Sequence, residues 1–213
     1  MPRTRAPLAP SNAPIQVDLT GDEEVMVVGE KAAGKRANAG AGEAECKKAK
    51  TAAAPATGGG AAGLQKLLGD KFVASDGKTP TDVETITKDA DLIGIYWSAH
   101  WCGPCRGFTP KLVTFVEMLE EEGVNFPVIF ASGDKDKESF AKYFASFAGP
   151  QWSAFPQGDK RITALKKKYG VKGIPWLVVL DKQGNLICNE ADTVVPKGPS
   201  VFNDWLKVAK AKA

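Results

Sequence analysis

The sequence predicts an α/β domain over residues 63–213, a central mixed sheet with helices on both faces, preceded by a disordered arm over residues 1–62. Three observations predict it. Residues 1–62 are dominated by Ala, Gly and Pro, and all 18 aromatic residues follow them. Such an arm cannot bury enough apolar surface to offset its ordering entropy. After it, short apolar runs alternate with stripes of helical spacing, which is the pattern of layered α/β domains. Finally, a Cys-x-x-Cys pair directly follows one of those runs, in "YWSAHWCGPCRGFTP" (96–110).

Each element follows in order. "KFVAS" is a short strand ahead of an Asp76-Gly77 turn. "LIGIYWS" (92–98) is continuously apolar, as expected of a strand covered on both faces. From Cys105, the residues Phe108, Leu112, Phe115, Val116 and Leu119 recur at helical spacing, and Gly123 closes the helix. "FPVIFAS" (126–132) is a second buried strand. Phe140, Tyr143, Phe144 and Phe147 form a helix stripe with Asp136 as N-cap. Asp159 caps another helix carrying Ile162, Leu165 and Tyr169, ended by Gly170. "WLVVL" and "LIC" flank the turn "DKQGN" and read as a hairpin. Val201, Trp205 and Val208 make the last helix.

The totals exclude several classes. Lys and Arg number 28 against 25 Asp and Glu, so net charge gives no reason to expect direct nucleic-acid or membrane binding. Four cysteines are too few for a disulfide-stapled secreted scaffold. No apolar run approaches the roughly 20 residues that span a bilayer. "MPRTRAPLAPSNAP" is basic but lacks the apolar core of a secretory signal, and its prolines spoil the amphipathic helix of a transit segment. A soluble protein in a reducing compartment is the expectation.

The cysteine pair admits three readings: a metal clip, a static staple, or a redox centre. Structural zinc wants four ligands, and the only His, His100, is too near Cys102 in sequence to complete a site. A reducing compartment disfavours a static bond. A strand turning directly into a helix puts Cys102 at the helix N-terminus, where unpaired N–H groups and the dipole favour thiolate. Lowering a thiol pKa from about 8.5 to about 7 takes roughly 2 kcal/mol. The dipole supplies about 0.3–1, so direct N–H···S contacts must add the rest. Cys102 is then the attacking thiol and Cys105 the resolving one. No bound cofactor or metal is expected. "GVKGIPW" (170–176) places Pro175 just before a buried strand, a special backbone position. Beside a Cys-x-x-Cys helix, it points to a cis Ile174–Pro175 bond facing the sulfurs.

With "WCGPC", Pro110 and "KKYGVKGIPWLVVL" in place, residues 64–213 resemble the thioredoxin superfamily. The resemblance implies the thioredoxin-like fold and thiol–disulfide oxidoreductase activity. The stretch from Asp134 to Gly158 is longer than thioredoxin's and brings a helix and the loop "GPQWSAFPQGDK". With "CRGFTPKL" and "FNDW", it is similar to the tryparedoxin/nucleoredoxin branch. In that branch the residues matching Trp101, Cys102, Cys105, Arg106, Trp152, Ile174 and Pro175 line or flank the active cleft. There are departures. Gly-Pro stands between the cysteines where the branch commonly has Pro-Pro. Tyr96 falls where thioredoxin has its buried proton-relay Asp. The strand that carries Arg toward a glutathione-type donor reads "NEADTVV" here, without Arg. Trp176 is large where thioredoxin has Thr, which would narrow the cleft.

Several of these residues also have plainer readings. His100 either raises the thiolate fraction or is a solvated loop side chain. Arg106 steers anionic partners or is a solvated first-turn residue. Trp101 contacts partners beside the reactive sulfur or merely packs. Trp152 is a cleft wall or a core plug. Cys188 reads as an inert small apolar residue.

In the arm, Lys35-Arg36, ten residues and then "KKAK" have the spacing of a bipartite nuclear localisation signal readable by importin, so nucleus and/or cytoplasm is the expected location. "IQVDLTGDEEVMVV" resembles segments that add a strand to a SUMO-like modifier, or is a plain apolar patch. The function expected is reduction of protein disulfides, in partners such as peroxiredoxins. Electrons would come from thioredoxin reductase/NADPH or a low-molecular-weight dithiol. The rival is a redox-sensing binding module recruited through the arm, without turnover.

Overall fold

The computed structural model describes residues 61–212. The arm expected over 1–62 lies outside them, except for its last two positions, which open the first helix. A seven-stranded mixed sheet carries helices on both faces. The strands are β1 (Phe72–Ala74), β2 (Pro80–Thr81), β3 (Leu92–Ser98), β4 (Val128–Ser132), β5 (Trp152–Ala154), β6 (Trp176–Asp181) and β7 (Leu186–Cys188). Their order across the sheet is β2-β1-β5-β4-β3-β6-β7. The inner strands β3, β4 and β5 are parallel; β6 runs antiparallel to β3, and β7 antiparallel to β6.

The helices are α1 (Ala61–Leu68), α2 (Val83–Thr87), α3 (Gly103–Glu121), α4 (Lys137–Ala145), α5 (Lys160–Lys168) and α6 (Ser200–Lys210). The Asp136 and Asp159 carboxylates accept the N–H groups of Ser139 and Arg161, as N-caps should. Gly123 and Gly170 both take positive φ just past their helices. In the turn after β1, the Thr79 hydroxyl and the Lys78 and Thr79 amides hold the Asp76 carboxyl down at about 2.

β3 is buried at every position, and its alternation sorts two cores. Leu92 and Tyr96 join the face covered by α3, α4 and α6. Ile93, Ile95 and Trp97 join the face covered by α1, α2 and α5. Gly94 sits in tight packing, since a Cβ there would meet Phe126, Leu177 and Val128 side-chain atoms at 3.2–3.3 Å and push them aside.

Five features differ from the sequence reading. α1 and α2 are helices in a stretch without a long periodic stripe. β2 is only two residues. The segment read as the loop "GPQWSAFPQGDK" contains β5, paired in parallel with β4. The "NEADTVV" segment is not a strand but forms 3-10 turns over Ala191–Thr193 and Val195–Lys197. Three-residue strands carry too little alternation to be read from sequence.

Candidate active site

β3 ends at Ser98, and four residues later Cys102 is the N-cap of α3. Gly103 and Pro104 form the first turn, where a proline costs no hydrogen bond. Cys102 and Cys105 are joined as a disulfide, with Cα atoms 5.2 Å apart. Cys102 is 5% exposed and Cys105 fully buried. The Cys105 N–H donates to Cys102 Sγ at 3.2 Å, one of the N–H···S contacts the thiolate form needs. The Ile174–Pro175 bond is cis. The Ile174 carbonyl lies 3.6 Å from Cys102 Sγ, and the Ile174 side chain packs on the small cluster of Ala99, Cys102 and Cys105. Strand end, helix start and proline loop thus meet at one sulfur.

The loop after β4 holds this arrangement from the side. Asp134 is buried; its carboxylate accepts the His100 N–H at 2.9 Å and the Ser132 hydroxyl at 2.8 Å. The Trp101 indole donates to the Gly133 carbonyl at 3.2 Å, leaving the ring 62% exposed beside Cys102. Replacing Asp134 by Ala strips the partner from a backbone N–H and a buried hydroxyl. Stability should fall by about 2 kcal/mol in urea unfolding. Asp134→Asn, which still offers an oxygen to His100, should recover most of that loss.

Beneath α3 lies a chain of buried hydroxyls. Thr109 donates to the Cys105 carbonyl at 2.9 Å and is 2.8 Å from the hydroxyls of both Tyr96 and Tyr143; Tyr143 is 3.1 Å from the Ser98 hydroxyl. Burial pushes the Tyr96 phenol well above its ordinary range. Tyr96 therefore stays a neutral phenol hydrogen-bonded to Thr109, at the position where the thioredoxin resemblance leads one to expect a carboxylate. Sequence reasoning missed Tyr143, Thr109 and Asp134. The one signal was a hydroxyl in the stripe Phe140, Tyr143, Phe144, Phe147.

Among the residues expected at the site, Trp101, Cys102, Cys105, Ile174 and Pro175 converge. Arg106 is exposed one residue after Cys105, facing a groove it shares with His100, Lys142 and Tyr143. Trp152 is not brought there. It pairs with Val128 at the start of β4, whereas the sulfurs lie beyond the other end, where Ser98 pairs with Ser132. Its indole is 2% exposed and packs edge-on against Phe147 at 5.1 Å, as a core plug. Trp176 turns toward the α5 side, its indole donating to Asn189 at 2.9 Å, and does not pack on the sulfur cluster.

Comparison with known proteins agrees with this geometry. A thioredoxin-like family model matches residues 89–186. Probable nucleoredoxin 1 of Arabidopsis thaliana is 41% identical over 131 residues, which is 58% of this chain and 22% of that protein. Nucleoredoxin of Homo sapiens is 35% identical over 128 residues, 60% of this chain and 28% of that protein. The chain thus spans about a quarter of the length of these curated relatives. Among solved structures, native tryparedoxin I of Crithidia fasciculata superposes with a TM-score of 0.57 at 33% identity, over 64% of this chain and 92% of that one. With a third of positions identical over nearly the whole of a solved tryparedoxin, the kinship extends beyond the fold: the chain belongs to the thioredoxin superfamily, in its tryparedoxin/nucleoredoxin-like branch.

Proposed function

We propose that this chain reduces protein disulfides by dithiol exchange. The observation that carries the reading is the bonded Cys102–Cys105 pair at the start of α3, with the Ile174 carbonyl beside the outer sulfur. In the reduced protein, the Cys102 thiolate attacks one sulfur of a partner disulfide. The partner's S–S bond breaks, and its departing thiolate takes up a proton. Cys105 then gives up its proton and attacks Cys102 Sγ, releasing the second partner thiol. The partner gains two electrons, and the chain ends as the disulfide.

Peroxiredoxin-like disulfides are proposed substrates. The proposed donor is thioredoxin reductase with NADPH rather than a glutathione-type dithiol, because residues 189–197 offer no Arg. A nuclear as well as cytoplasmic location, with importin and a SUMO-like modifier met through the arm, is proposed on the arm's two motifs alone.

The test is turnover of a model protein disulfide with NADPH and thioredoxin reductase, and separately with glutathione. Continuous NADPH consumption that requires Cys102 is the expected result. Oxidation that stops at one equivalent with every donor would replace the reductase by a stoichiometric sensor.

A further inference from the structure

From Lys160 to Leu180 the chain carries six cations and no carboxylate. Arg161 is spoken for: it pairs with Asp159 and donates to the carbonyls of Leu68 and Lys71. Lys160, Lys166, Lys167, Lys168 and Lys172 are all exposed, and none has an ion-pair partner among the described residues. The nearest carboxylate in sequence, Asp159, is committed to Arg161 and to capping α5.

The position of this charge matters more than its amount. α5 runs through Gly170 and Lys172 directly into Ile174 and the cis bond to Pro175, the loop that lies against Cys102. The opposite face of the sheet carries α3, whose last turns expose Glu117, Glu120, Glu121 and Glu122. That opposite face is of mixed sign, since Lys137, Lys142, Lys207 and Lys210 of α4 and α6 are also exposed there. What sets the α5 lysine run apart is its continuity with one wall of the redox cleft.

We propose that the lysine face of α5 and Lys172 is a docking surface for an acidic segment of the disulfide-bearing partner, which it presents to Cys102. The proposal rests on the reductase reading above. A protein partner fits better than a nucleic acid: the face exposes no aromatic ring for a base to stack on and no free guanidinium. A ligand delivered to this cleft must also bring a disulfide. Fields of this kind act mainly on encounter rates, by ~10-fold or more, and salt screens them.

The test uses the reduced full-length protein in single turnover, so no recycling enzyme is needed. Its oxidant is one of two synthetic peptides with the same disulfide-closed loop, one flanked by glutamates and the other by lysines. Trp fluorescence reports formation of the Cys102–Cys105 bond. At about 0.01 M salt the acidic peptide should react ~10-fold faster, and at about 1 M the two rates should converge. Lys166→Gln, Lys167→Gln and Lys168→Gln together should flatten the preference, and the corresponding change to Glu should invert it, which misfolding cannot do.

Equal rates for the two peptides in the unmodified protein would overturn the docking surface while leaving the reductase reading standing. So would a preference that survives the change to Glu. An oligonucleotide that binds the lysine face in about 0.15 M salt, with no preference between the peptides, would reassign the surface to nucleic acid. Failure to oxidise with either peptide or with neutral bis(2-hydroxyethyl) disulfide would instead sink the reductase reading.

Discussion

A Cys105→Ser variant is expected to stop halfway through the reaction and remain joined to its partner through Cys102. The expectation follows from the unequal positions of the two sulfurs. Cys102 caps the helix, receives the Cys105 N–H and lies against the Ile174 carbonyl at the cleft, whereas Cys105 is sealed inside α3. Attack needs only Cys102; release needs a second thiol held in place. An external thiol at millimolar concentration cannot match a neighbour fixed one helical turn away, so turnover should fall at least ~10³-fold. Mixed disulfides should accumulate on non-reducing gels. Cys102→Ser should abolish both turnover and trapping. Alkylation of the reduced protein at pH 7 followed by peptide mass spectrometry reads the order directly: label should enter Cys102 first. Label entering Cys105 first would reverse the assigned roles.

The second large effect is on stability and not on chemistry. Trp152→Ala should cost about 3–5 kcal/mol in urea unfolding, the price of a large cavity in a close-packed core. The indole fills the space between Phe147 and Tyr96 on the α3 face of the sheet. Under native conditions, the rate of oxidation by a small neutral disulfide should stay within about twofold, because the ring lies at the far end of β4 from the sulfurs. Loss of rate without loss of stability would put the side chain in the cleft after all. Trp152→Phe, which keeps most of the volume, should recover much of the stability.

These two experiments also mark where the sequence was legible. "WCGPC" after a fully apolar run left little choice about Cys102, since a buried strand that stops and a helix that starts must expose N–H groups between them. Pro175 was legible for a related reason: a proline at the start of an inner strand has no ladder hydrogen bond to give. The capping aspartates and closing glycines likewise act within a few residues of themselves. Trp152 and Asp134 act at long range. A tryptophan in a polar-looking loop reads the same whether the loop lines a cleft or pairs as a three-residue strand. Only the β4–β5 register, which no local pattern announces, decides between them. Asp134 meets His100 across 34 positions of sequence, so neither residue hints at the other.

That last contact has a consequence for motion. The Gly133 amide donates to the Ser98 carbonyl at 2.8 Å, while the residues that follow, His100 and Trp101, donate back to Asp134 and Gly133. The approach to the reactive sulfur is thereby stitched to the exit of β4 rather than left as a free loop. Fraying there would mean uncovering a buried carboxylate and prising apart two parallel strands at the centre of the sheet. In hydrogen-exchange terms, the His100 amide should belong to the same slow cooperative unit as the strands, although it lies outside any strand or helix. Breathing that admits a partner must then come from the other wall, where the Ile174–Pro175 loop meets Cys102 mainly through packing.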